Sequence, residues 1–221
     1  MPPEQAPSPH YDGTPHRFRL LSGTRLTRLH SAEFSVTEFN PTVARNPMQG
    51  GRFDSSPDDP YSFLYAALDD RTAVSETLLR DLPFDDRGAR LLPRAKLSGL
   101  RIGWMNVAVD LDLVDLRSGR SLAAVGQDTW LTGGPASAYG RSRRWAAAIR
   151  SWAPWASGLA WRSRREPEGF ALVLFGDRVS DDCLEATEDA SPLTSSERDL
   201  GTGVGTLYLE QILADYRVAL M

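Results

Sequence analysis

Residues 62–81, SFLYAALDDRTAVSETLLRD, set a strand directly against a helix. Phe63-Leu64-Tyr65-Ala66 follows Pro60 as a short apolar run, the pattern of a buried strand. From Asp70 to Asp81 the period turns helical. Asp69 or Asp70 can cap the first turn, and Ala73, Val74, Thr77 and Leu78 share one face. Glu76 sits at the edge of that face, three residues from Ala73 and from Leu79. By spacing alone it is a solvated glutamate paired with Arg80 one turn on.

Outward from this stretch the periods alternate. Thr24–His30 reads as a strand with Arg28 pointing opposite to Leu29. Leu100–Val109 and Leu111–Leu116 read as strands flanking Asp110. Ser142–Trp152 reads as a helix with Trp145, Ala148, Ile149 and Trp152 at helical spacing. Gly158–Ser163 and Phe170–Phe175 bracket the charged turn 164–169, and Val204–Ala219 is expected as a closing helix with Leu209, Ile212, Leu213 and Tyr216 inward. Short strands between separated helices predict an α+β fold: a single domain over 17–221 with a mixed sheet and flanking helices. Residues 1–16, with five prolines, are expected to form a mobile tail, and 185–199 a surface loop.

Composition narrows the function. At 221 residues roughly 70% of the unfolded chain's surface is buried on folding, so the core needs no covalent or metal staple. A 41% apolar and 24% charged chain is neither collagen-like, nor a coiled coil, nor mostly disordered. No apolar run approaches the length of a membrane span, and the first residues lack the pattern of a secretory leader. The net charge of −4 argues against direct nucleic-acid binding, although 24 of the 25 basic residues are arginines suited to phosphate. Cys183 stands alone, which excludes an intrachain disulfide and sets a reducing cytoplasm as the expected location. His10, His16 and His30 lie close together without ligand spacing, so no metal site and no Ser-His-Asp hydrolase is expected. A homo-oligomer is compatible with this composition.

Six segments in fixed order then carry a resemblance. Arg28-Leu29-His30, Gly50-Gly51-Arg52-Phe53, Leu64-Tyr65-Ala66 and Ala73-Val74-Ser75-Glu76-Thr77 come first. Tyr139-Gly140-Arg141 and Gly158-Leu159-Ala160-Trp161-Arg162-Ser163 complete the series. Over about 26–178 the chain resembles the RES-domain family, named for its characteristic Arg, Glu and Ser. That resemblance implies an ADP-ribosyltransferase-like fold and a toxin that consumes NAD as substrate, with no further cofactor. It also implies a partner, an Xre-like helix-turn-helix antitoxin that occludes the active site. Members cleave NAD with water or phosphate, or transfer ADP-ribose to a protein. A third alternative is a non-catalytic module that binds a nucleotide or its partner.

Carried onto these residues, the resemblance implies Glu76 as the catalytic carboxylate, Arg28 with it, and Arg28 and Arg52 on the diphosphate. Tyr65 would stack on nicotinamide, Ser163 would donate to its amide or to a phosphate, and His30 would orient its strand neighbour Arg28. Single carboxylate chemistry suits NAD, because nicotinamide leaves a pyridinium cation as a neutral molecule and needs no acid. The Trp cluster reads as core packing, Arg141–Arg144 as a solvated basic run, and Glu38, Asp54 and Asp58 as surface carboxylates. The chain departs from the toxin pattern G-x-R-W-N at Phe53 and Asp54, and in an inserted-looking segment 84–97 and a long C-terminus.

Overall fold

The computed structural model describes residues 6–11, 13–187 and 196–221. Its strands begin with β1 Arg17–Leu20, β2 Arg25–Ser31, β3 Phe63–Ala67, β4 Arg90–Leu92, β5 Leu100–Val107 and β6 Leu111–Leu116. They continue with β7 Gly158–Arg162, β8 Phe170–Phe175, β9 Leu184–Ala186, β10 Glu197–Asp199 and β11 Val218–Leu220. The helices are α1 Asp70–Val74, α2 Gly119–Ala123, α3 Trp130–Gly133, α4 Tyr139–Trp152 and α5 Gly203–Ala214. Among the described residues no helix is long and apolar enough to cross a membrane.

The main sheet runs β1-β6-β7-β8-β3-β2-β5-β10, with β9 also paired to β5. Its neighbours are antiparallel except β6 and β7, and that parallel pair needs the long crossover that carries α2, α3 and α4. This is the expected single-domain α+β architecture with a mixed sheet.

Alternation along the strands divides the core. From β8, Ala171, Val173 and Phe175 meet Leu122, Leu131, Trp145 and Ile149 of the crossover helices. Leu172 and Leu174 point to the opposite face, where they join Leu26, Leu64, Met105 and Leu113. A third cluster packs Ile102 and Trp104 of β5 against Val74, Leu79, Leu209 and Leu213. Since the second cluster runs under β8, β3, β2 and β5 alike, the first and third share the other face. They meet where β2 joins β3.

That join is narrow. A single registered pair, Thr27 with Ala67, links the two strands. Asp70 pins it: its Oδ1 accepts from Thr27 Oγ1 at 2.6 Å and from Trp104 Nε1 at 2.9 Å, and its Oδ2 accepts from the Tyr208 hydroxyl.

The helix after β3 starts as its sequence predicts. Asp69 caps it, accepting from Thr72 N at 2.8 Å and Thr72 Oγ1 at 2.6 Å. At Ser75 the helix widens into a π-turn that runs to Leu79. The wider turn shifts the buried phase, so Ser75 and Leu79 are buried while Thr77 is exposed.

Other expectations are corrected. The closing helix ends at Ala214, Arg217 turns the chain at a φ of 56°, and Val218–Leu220 pairs in parallel with Arg90–Leu92. The inserted-looking segment and the C-terminus are thus one small sheet. The ends of the supposed loop 185–199 are strands on β5; its middle, 188–195, lies outside the described residues, as do residues 1–5 and 12 of the supposed tail. Within that tail, Tyr11 stacks on Trp152 with centroids 4.0 Å apart.

Asp70→Ala strips three donors of their acceptor. The expected cost is about 2–4 kcal/mol, read as a lower urea midpoint at an unchanged m-value. An unmoved midpoint would show that Asp70 does not pin the join.

Candidate active site

A cavity of about 300 Å³ occupies the opening where β2 and β3 part, with Thr27, Arg28 and Leu29 on one side and Phe63, Tyr65 and Ala66 on the other. Glu76, Thr77 and Arg80 of the π-turn region close one end. Arg52, Asp54, Tyr139 and Trp161 complete the wall. Arg28, Arg52, Tyr65 and Glu76, scattered over about fifty positions of sequence, therefore converge on one cleft.

Glu76 is held by one oxygen. Its Oε1 accepts from Ser163 Oγ at 2.7 Å and from Arg164 N at 3.2 Å, and Oε2 has no protein partner among the described residues. Ser163 is buried just past β7 and does not line the cavity. Its oxygen also receives the backbone N–H groups of Arg165 and Glu166, at 3.3 and 3.1 Å. Ser163, expected to donate to the ligand, here donates to Glu76.

The loop 50–54 is built around Asp54. Asp54 Oδ2 accepts from Gly51 N at 2.7 Å and Oδ1 from the Tyr65 hydroxyl at 2.9 Å, while Phe53 N donates to the same hydroxyl at 2.8 Å. A Cβ on Gly51 would lie 2.6 Å from Asp54 Oδ1 and 3.0 Å from the Tyr65 oxygen, so only glycine allows this approach. Asp54 is 8% exposed and not a surface carboxylate; burial pushes its carboxyl above the usual range, against the bonds from Gly51 and Tyr65. Burial likewise holds the Tyr65 phenol well above its ordinary value. With its hydroxyl committed, Tyr65 offers its ring, set edge-on to Phe63 and Trp161. Arg143 is no solvated cation either. Its guanidinium donates to the carbonyls of Gln49, Gly51 and Asn46 and staples this loop to α4.

The arginines differ in commitment. Arg28 directs Nη1 at the carbonyls of Ser35, Val36 and Glu38, and burial lowers its pKa to about 10 against the pull of Glu38 and Glu197. Arg52 donates to Leu131 O at 3.2 Å and Gly134 O at 3.0 Å, and its guanidinium lies 4.9 Å from the centre of the Tyr139 ring. Burial lowers its pKa too, with Tyr139 and Glu76 opposing. His30 does not line the cavity. Its Nδ1 lies 3.0 Å from Ser31 O and its Nε2 3.9 Å from Glu197, and burial, then Arg28, depresses its pKa. Glu38 and Asp58 are exposed, as expected of surface carboxylates.

Arg80, Tyr139 and Trp161 line the cavity without having been singled out as site residues. Spacing carried a signal for Arg80, four residues after Glu76; Tyr139 and Trp161 lay within motifs, and Trp161 read as core packing.

A sheet opened between two strands, with three arginines and two carboxylates at the opening, has parallels among known proteins. The RES domain matches residues 25–194, and the chain belongs to that family. Its fold is similar to that of a chain in the crystal structure of the M. tuberculosis MbcT–MbcA toxin–antitoxin complex. The TM-score is 0.55 at 17% identity, over 87% of this chain and 90% of that one. A search of curated proteins finds no match.

The raised carboxyl of Asp54 has a pH signature. Above its folded pKa the cost of the buried charge is fully present; it is relieved as pH falls through that value and is gone below the unfolded value of 3.8. Wild type is therefore expected to gain stability relative to Asp54→Asn as pH falls from 7 towards 4, in paired denaturant titrations. A constant difference between the two proteins would contradict the assignment.

Proposed function

We propose that this chain is an enzyme that cleaves the nicotinamide–ribose bond of NAD, with water or phosphate as acceptor. As a RES-family toxin it would be held inactive by an Xre-like helix-turn-helix antitoxin. The observation that carries the reading is the convergence of Arg28, Arg52, Tyr65 and Glu76 on one cavity. The cavity volume is at the low end of ligand pockets, which suits one end of a dinucleotide better than the whole. The antitoxin follows from the family and from the toxin–antitoxin complex in which the structural relative was solved.

The chemistry follows from the charges. As the N-glycosidic bond breaks, its electron pair passes to the pyridinium nitrogen and nicotinamide departs neutral. Positive charge develops on the ribose carbon and its ring oxygen. Glu76 faces that charge with Oε1 already fixed by Ser163 and Arg164, which leaves Oε2 for the ribose hydroxyls and the cation. Water or phosphate then forms a bond to the same carbon; water sheds a proton to solvent. The aromatic edges of Phe63, Tyr65 and Trp161 shape an apolar seat for nicotinamide, and Arg28 and Arg52 supply positive charge for the diphosphate.

Purified protein is expected to release nicotinamide from NAD, measured by chromatography, and Glu76→Gln to slow release by roughly 10²–10³-fold with the fold intact. Label from adenine-tagged NAD retained on a protein band would move the assignment to ADP-ribose transfer. Absence of nicotinamide release with water, phosphate and protein acceptors alike would overturn it.

A further inference from the structure

We infer that Arg80, together with Arg52, forms the clamp for the phosphates of the substrate, the two guanidinium groups gathered around the ring of Tyr139. The inference rests on the NAD reading for the identity of the substrate, and it concerns a residue that none of the family motifs singled out.

Three observations lead to it. The first is geometric: Arg52 and Arg80 both line the cavity, with guanidinium carbons 4.9 and 5.2 Å from the centre of the same phenol ring. The second concerns free donors. Arg28 has turned Nη1 onto three carbonyls of the 35–38 segment and is anchored there. Arg80 makes one side-chain bond, from Nε to Asp81 Oδ2 at 3.1 Å, so both of its Nη groups lack a protein acceptor among the described residues. Arg80 thus presents two unoccupied outer nitrogens, the fork that grips a phosphate at two points, while Arg52, bonded through Nη1 and Nη2 to the Leu131 and Gly134 carbonyls, adds its charge beside that fork.

The third is charge. Around the cavity Arg28, Arg52 and Arg80 stand against Asp54 and Glu76. Without Arg80 these charges cancel, and nothing would draw a dianionic diphosphate beside the two carboxylates. With it the cavity is net positive, and the two guanidinium groups repel one another across Tyr139 until an anion bridges them. Arg80 is also firmly placed. Its carbonyl accepts from Arg165 Nε at 3.1 Å and Nη2 at 2.8 Å, so the backbone is fixed while the side chain remains available. Glu76 and Arg80 flank one widened turn, which sets the catalytic carboxylate and the phosphate clamp on a common support.

The test uses the full chain and the Arg80→Gln and Arg80→Lys variants, with thermal midpoints as the folding check. ADP-ribose affinity is measured by calorimetry, and KM and kcat for NAD are compared with those for nicotinamide riboside, which lacks phosphate. Arg80→Gln is expected to weaken ADP-ribose roughly 10–100-fold and to raise the KM for NAD by a similar factor, the scale of one charge-assisted contact. The preference for NAD over nicotinamide riboside should fall in proportion, and lysine should restore part of the loss. Equal ADP-ribose binding by a folded Arg80→Gln protein, an unchanged preference, or no ADP-ribose binding by wild type would each overturn the clamp. Wild type that binds ADP-ribose through Arg80 but leaves NAD intact would retain the clamp and remove the catalytic reading.

Discussion

The site depends on a sheet that is prevented from closing. An antiparallel ladder continued past Thr27 and Ala67 would set Leu29 opposite Tyr65, and the backbone groups that now border the cavity would bond to one another. Two constraints oppose this. Asp70, three residues past β3, gathers donors from Thr27, Trp104 and Tyr208 and fixes the apex at which the two strands meet. On the other side, the Tyr65 hydroxyl is held by Asp54 and Phe53, which ties β3 to the 50–54 loop and, through Arg143, to α4. On the cavity's face of the sheet Phe63 of β3 packs into the first cluster while Leu29 of β2 borders the third, and the candidate site is the opening between them.

Strands such as β3 and β8 were legible because each is a short apolar run, and Phe170–Phe175, ended by Gly176, shows that pattern without ambiguity. The strands β1, β9 and β10, short and without an apolar run, were not. The π-turn was not, since a helical face is read at three- and four-residue spacing and Ser75–Leu79 inserts an extra residue into one turn. That insertion moves Thr77 off the buried face, where the spacing had placed it, and presents it to the cavity with Glu76. The small sheet of β4 and β11 was equally invisible, because a parallel pair between segments more than a hundred residues apart leaves no local mark. Of the site, Arg28, Arg52, Tyr65 and Glu76 were legible only through motif order, while Asp54 read as a surface carboxylate and Arg80, Tyr139 and Trp161 were not singled out. The roles of Ser163 and His30 depend on side-chain direction, which residue spacing does not fix.

The near-total preference for arginine over lysine gains a structural meaning. Arg143 holds the carbonyls of the 46–51 loop, and Arg178 closes the end of α4 by donating to the carbonyls of Arg150, Ala153 and Ala156. Arg165 holds Arg80, and Arg28 holds the 35–38 segment. Loops rich in irregular backbone leave carbonyls that no ladder satisfies, and a planar group with five donors can serve two or three at once. Lysine, with one nitrogen on a flexible stem, does this less well. Arg28, Arg143, Arg165 and Arg178 are in this sense mortar between loops, whereas Arg17, Arg19, Arg71 and Arg94 make exposed ion pairs with carboxylates.

The inserted-looking segment 84–97 and the long C-terminus share a structural role through their small sheet. Tyr216, just after α5, donates its hydroxyl to Glu166 in the turn that follows β7. In that turn Ser163 and Arg164 hold Glu76, and Arg165 holds the backbone of Arg80. Burial, with the bond to Glu166 reinforcing it, raises the Tyr216 phenol to about 12, so it stays protonated and able to donate at any physiological pH. The chain beyond Tyr216 is in turn secured by pairing with the insertion. Under the proposed NAD cleavage Glu76 would gain from such a brace, because stabilisation by fixed charge requires that the charge not relax away. The small sheet of β4 and β11 is thus linked, through Tyr216 and Glu166, to the turn that holds Glu76 and the backbone of Arg80.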